Sequence, residues 1–110
     1  MKPIILNEPM NSLERRWANQ LDYMKMAKEI VDYRYNSIGL KLAAKTYYYP
    51  DFFVTYPNHF EIHEAKGFCR DDALVKYKTA REMYPWFVWK MLFWSKKTGW
   101  VVKYKNSNDY

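Results

Sequence analysis

The chain has 110 residues, room for one domain with a modest hydrophobic core and not for two. It carries 18 Lys and Arg against 12 Asp and Glu, a formal charge of +6 that suits a polyanionic partner, and its 20% aromatic residues leave ring surface to spare for stacking on exposed bases. A single cysteine, Cys69, excludes an internal disulfide and a multi-cysteine zinc site, and no apolar run reaches the length of a signal segment or a bilayer span, so a soluble cytoplasmic protein is expected.

Residues 1–10 hold two prolines and read as an extended arm. Leu13, Trp17, Leu21, Met24, Ala27 and Val31 then recur at helical spacing, with Asn11 and Glu14 placed as a capping box at the start. Ile38, Leu40 and Leu42 alternate with Gly39, Lys41 and Ala43, the pattern of a first strand. The 46–54 run reads as a second strand, 56–59 as a turn and 60–66 as the returning strand. Gly67 permits a tight exit, and Asp71 or Asp72 caps a helix to about Tyr84 with Ala73, Leu74, Tyr77, Ala80 and Met83 as its inner face. Pro85 ends it. The apolar run 87–93 then returns parallel to the 60–66 strand, and 95–99 turn the chain into a last strand over 100–104 before residues 106–110 fray. With no repeat and no linker, residues 1–110 are expected to form a single α/β domain, a mixed β-sheet flanked by helices.

The chemistry concentrates in Pro50-Asp51 and Glu64-Ala65-Lys66. Strand alternation sets Ile62, Glu64 and Lys66 on one face and Glu61, His63 and Ala65 on the other, and the hairpin lets Asp51 and Glu64 meet. A hard divalent cation, Mg²⁺ or Mn²⁺, takes oxygen ligands, and Asp51, Glu64 and the backbone carbonyl of Ala65 supply them. Lys66 beside that ion orients or helps deprotonate an attacking water and offsets charge on the phosphorane oxygens. A Glu and a Lys two apart also make an ordinary solvated pair, and Pro-Asp also opens turns. Glu64, however, falls at a position patterned for burial, where an acid needs a partner or a metal. Cys69 and the two histidines, His59 in the turn and His63 on the face opposite Glu64, read as packing or surface residues.

Pro50-Asp51 and Glu64-Ala65-Lys66 together resemble the motif of the PD-(D/E)xK nuclease superfamily, over roughly residues 11–94. In the order Glu, Asp, Glu-x-Lys the chain is similar to small phage-encoded nucleases, including Holliday-junction endonucleases of tailed phages. The resemblance implies a restriction-endonuclease-like fold with an α-β-β-β-α-β core, to which a C-terminal hairpin strand is added here. It implies a further metal-site acid on the first helix, for which Glu14 stands while also serving as a cap, and it implies a homodimer working in the host cytoplasm. Arg15, Arg16, Arg70 and Lys76 are candidate phosphate contacts, whereas Lys78 and Arg81 read as a solvated helix face. Tyr47 and Tyr49 share a strand face with Asp51 if no bulge intervenes, which makes Tyr49 a candidate groove residue. The expected activity is Mg²⁺- or Mn²⁺-dependent hydrolysis of DNA by Asp51, Glu64 and Lys66. So small a surface favours branched, flapped or nicked DNA over a long recognition sequence. The alternatives are a non-catalytic nucleic-acid-binding or accessory module on the same fold and an RNA-directed nuclease.

Overall fold

The computed structural model describes residues 9–106; residues 1–8 of the arm expected over 1–10 and residues 107–110 of the tail expected over 106–110 lie outside them. Helix α1 (Ser12–Met26) starts at the capping signal: the Asn11 side chain accepts the Glu14 amide, and the Glu14 carboxylate takes the Asn11 amide in return. The helix stops before the expected Val31, because Lys28 turns left-handed at φ 62° and Val31 is exposed. Residues 32–35 form a strand that sequence reasoning missed, β1 (Asp32–Tyr35). Its Tyr33 and Tyr35 rings turn inward against Phe52, with centroids 6.0 and 5.4 Å away.

The 38–43 run does yield β2 (Leu40–Ala43), but this pairs only with β3 (Thr46–Tyr48) in a separate two-stranded sheet. The single strand expected over 46–54 is two. Pro50 has no N–H to give a ladder and restricts Tyr49 before it, so the chain leaves β3 and starts afresh as β4 (Phe52–Thr55). The hairpin of β4 with β5 (Phe60–Lys66) forms in the expected place, and β6 (Val88–Ser95) returns parallel to β5 after α2 (Asp71–Met83). Gly99, at φ 70°, makes the turn into β7 (Gly99–Lys103), and the main sheet runs β1-β4-β5-β6-β7.

The two helices cover opposite faces of this mixed sheet. Trp17, Ala18 and Leu21 of α1 pack with Phe52, Val54, Ala65 and Leu92, while Tyr77 and Ala80 of α2 pack with Ile62, Trp89 and Met91 and with Leu40 and Tyr48 of the small hairpin. Three details of α2 differ from expectation. Its N-cap is Arg70, which makes no side-chain cap bond, and Asp71 and Asp72 lie in the first turn, where carboxylates suit the helix dipole. Met83 is exposed rather than inner. Arg81 is buried rather than solvated, and it donates to the Lys105 carbonyl at 2.6 Å, tying the C-terminal segment to the helix. No helix among the described residues is long and apolar enough to cross a membrane.

Candidate active site

Asp51 stands in the gap between β3 and β4 and is fixed at every polar atom of its backbone. Its carbonyl accepts the Asn36 amide at 2.8 Å, and its own amide donates to Glu64 Oε1 at 2.6 Å. Its carboxylate reaches across to β5, where Oδ2 accepts the Ala65 amide at 3.0 Å. Asp51 is therefore clamped to the Glu64-Ala65 segment by two bonds, one through each carboxylate, and Lys66 Nζ completes the group 3.7 Å from Glu64 Oε2.

These three side chains line one cavity of about 340 Å³ together with Glu14, Tyr48, Tyr49 and Lys76. Its electrostatics follow from burial. Glu64 is only 5% exposed, and desolvation, incompletely offset by Lys66, pushes its carboxyl above the ordinary range. Asp51 is pushed well above its usual range, first by burial and then by the negative charges of Glu64 and Glu14. Burial works against the Lys66 ammonium, yet Glu64 and Asp51 beside it prevail and hold it above its ordinary value, so it stays charged. Two carboxylates that resist ionisation next to a fixed cation describe a pocket short of positive charge.

Comparison with protein-family models, curated proteins and solved structures returned no match. The site is accordingly read from its own geometry.

Of the residues expected from sequence, Asp51, Glu64, Lys66, Glu14, Tyr49 and Lys76 meet in this cavity. Glu14 makes the capping bond and also lines the cavity. Oε1 accepts both the Asn11 amide at 2.9 Å and the Tyr35 hydroxyl at 2.8 Å, while Oε2 takes no hydrogen bond among the described residues. Ala65 is buried between Asp51 and β6, its amide committed to Asp51. Arg15, Arg16 and Arg70 do not line the cavity. Arg16 lies over the Trp94 ring, 4.2 Å from its centroid, and Arg70 is a solvent-exposed partner of Asp72 at 3.5 Å.

Tyr48 was missed. The break at Pro50 reverses the expected phase, so that Tyr48 rather than Tyr47 points inward, its ring packed on Tyr77 and Trp89 with centroids 6.3 and 6.0 Å away. Its hydroxyl is buried beside Glu64 without reaching hydrogen-bond geometry. Burial first, then Glu64 and Asp51, push it far above the usual phenol range, which keeps it a neutral donor. The interrupting proline was the signal that could have found it.

A second titratable cluster lies on the opposite face of β5. Glu61 accepts from His63 at 2.8 Å, His59 at 2.6 Å and Lys90 at 2.9 Å. Trp17 Nε1 donates to His63 Nδ1 at 3.1 Å, so the neutral ring carries its proton on Nε2 and gives it to Glu61. Burial depresses the His63 value and favours that neutral form.

The residues present fit a hard divalent cation. Asp51 Oδ1 and Glu64 Oε2 are carboxylate oxygens left without a backbone donor, and the pocket around them is short of positive charge. Among the described residues no three Asp, Glu, His or Cys side chains converge into a closed metal cage. Mg²⁺ needs none, because it keeps several waters and takes one or two carboxylates together with substrate phosphates.

Proposed function

We propose that this chain is a metal-dependent endonuclease that hydrolyses DNA phosphodiester bonds, on a restriction-endonuclease-like form of the mixed α/β sheet. The observation that carries this reading is the pair Asp51 and Glu64, two buried carboxylates with raised values held by the Ala65 and Asp51 amides, with the Lys66 ammonium 3.7 Å from Glu64.

Asp51 and Glu64 would hold Mg²⁺ or Mn²⁺, with Glu14, which lines the same cavity, and the Ala65 carbonyl as further candidate oxygens. The ion supplies Lewis acidity to the attacking water and the scissile phosphate. The rest of the chemistry belongs to the chain. The Asp51 and Ala65 amides fix the two carboxylates so that neither must reorganise as substrate enters. Because Lys66 stays protonated, it acts as a cation: it orients the water that attacks phosphorus in line and offsets the charge that builds on the phosphorane oxygens. Lys76 on α2 faces the same cavity and contacts a flanking phosphate. The small binding surface favours branched, flapped or nicked DNA over a long sequence.

The test is incubation of the protein with supercoiled plasmid, single-stranded, flapped and four-way-junction DNA in Mg²⁺, Mn²⁺ or EDTA, beside Lys66→Ala. Metal-dependent products that vanish in the variant support the reading. Binding without cutting under every condition replaces it with a non-catalytic nucleic-acid-binding module.

A further inference from the structure

Tyr49 occupies an unusual position in the cavity wall. It sits two residues before Asp51 in a segment made stiff by Pro50, so its ring is held at the rim of the carboxylate site. The Tyr47 ring lies nearly parallel to it, tilted by 26° with centroids 6.1 Å apart, and both rings are only partly buried. The pair forms an aromatic step rather than a core plug.

The step depends on a glycine. A Cβ at Gly39 would come 2.6 Å from Tyr49 Cε1 and 3.1 Å from Cδ1, closer than packing allows, so the ring rests where only glycine leaves space. Gly39 is not needed for a left-handed backbone, because Gly99 alone among the described glycines has a positive φ. The exposed Lys76 lines the same cavity. The cavity lining thus offers an aromatic ring and a cation beside the two carboxylates. That arrangement suits a nucleotide: base against the ring, flanking phosphate toward the lysine.

A base inside a duplex has both faces covered by its neighbours, and only an unpaired base can present one to a protein ring. We infer that the Tyr47–Tyr49 step, seated by Gly39, stacks an unpaired base next to the scissile phosphate and so selects DNA with a single-stranded or flapped segment at the cut. This rests on the nuclease reading for the chemistry, but the stacking itself does not.

Two arms separate the two ideas. In the first, Mn²⁺-dependent cleavage of a flapped substrate and of a continuous duplex with the same sequence is compared for wild type, Tyr49→Ala, Tyr49→Leu, Tyr49→Phe and Gly39→Ala. Tyr49→Leu keeps apolar bulk without the π-face, and Tyr49→Phe keeps the face. Loss of one stacked base corresponds to about five- to hundredfold on the flapped substrate. We expect that loss in Tyr49→Ala and Tyr49→Leu, little change on the duplex, rescue by Tyr49→Phe, and a loss of the same direction in Gly39→Ala. Equal losses on both substrates, or none, overturn the inference. In the second arm, anisotropy in EDTA measures binding of a short single strand against a duplex of the same sequence. If the wild type cuts nothing, the nuclease reading falls, and this arm still decides: a single-strand preference lost in Tyr49→Leu upholds the step, and no preference overturns it.

Discussion

Strand β5 carries two buried glutamates, Glu61 and Glu64, 4% and 5% exposed, whose surroundings are opposite in sign. Glu61 faces α1. Burial acts to raise its carboxyl, but His63, His59 and Lys90 more than offset that and hold it down at about 2. Glu64 faces the cavity, where burial and the charge of Glu14 outweigh Lys66 and the Asp51 amide, so its carboxyl is raised. The first acid is satisfied by the protein itself. The second has the Asp51 amide and Lys66, which do not fully offset its burial, and it is on this imbalance in a cavity that the proposed metal site rests.

That contrast is broken most severely by removing the cavity groups. Lys66→Ala or Glu64→Ala should each lower metal-dependent cleavage by about 10²–10⁴-fold, measured as initial rates at equal folded protein, whereas Glu61→Gln should leave the rate per folded molecule close to wild type. Stability should respond the other way round. Glu61→Ala strands Lys90 and the His63 N–H without their acceptor, and we expect a loss of about 3 kcal/mol in urea unfolding at neutral pH, the low end for a broken buried pair because Lys90 and His59 reach solvent.

The pH dependence sharpens the same comparison. Glu61, depressed from 4.5 to about 2, contributes stability that is present above pH 4.5 and is lost as pH falls toward about 2. Asp51 and Glu64 are raised, so their contribution has the opposite sign: without a metal, stability should decline as pH climbs above their ordinary values of 3.8 and 4.5. His63, whose value burial depresses, adds stability of the opposite sign that grows as pH climbs toward its ordinary 6.5, so melting temperatures in EDTA isolate the pocket's share only as the difference between wild type and Asp51→Asn. Asp51→Asn keeps an oxygen for the Ala65 amide and removes the charge, and it should lessen the pocket's decline and add on the order of 1 kcal/mol at neutral pH. A wild-type curve that stays parallel to that of Asp51→Asn up to neutral pH would remove the idea of a pocket short of positive charge. The smallest effect belongs to Tyr48→Phe. Because the hydroxyl makes no hydrogen bond, its loss should change the melting temperature little or raise it slightly, whereas a clear drop would mean that Glu64 already holds it.

Much of the site was legible in the sequence because its parts are local. Glu64 and Lys66 are two apart on a strand whose alternation can be counted, and the turn at 56–59 brings Asp51 back to them. What failed was phase and partnership over longer range. Reading 46–54 as one strand ignored Pro50, and so it placed Tyr47 where Tyr48 stands and put β2 in the wrong sheet. β1 was invisible because its charged and aromatic alternation is that of an edge strand, and only Phe52 across the sheet makes Tyr33 and Tyr35 interior. Arg81 looked solvated since its acceptor, the Lys105 carbonyl, is distant in sequence. The Glu61 cluster likewise draws on α1, the hairpin turn and β6, which no spacing rule connects.

The most direct measurement is calorimetric titration of Mn²⁺ into the wild type, Glu64→Gln and Glu61→Gln under one buffer condition. If Glu64 is the acid that awaits a cation, wild type and Glu61→Gln bind with the same affinity and Glu64→Gln binds at least about tenfold more weakly, a difference of roughly 1.4 kcal/mol. Undiminished binding by Glu64→Gln, or no binding by the wild type, would contradict the assignment of this cavity as a metal-dependent active site.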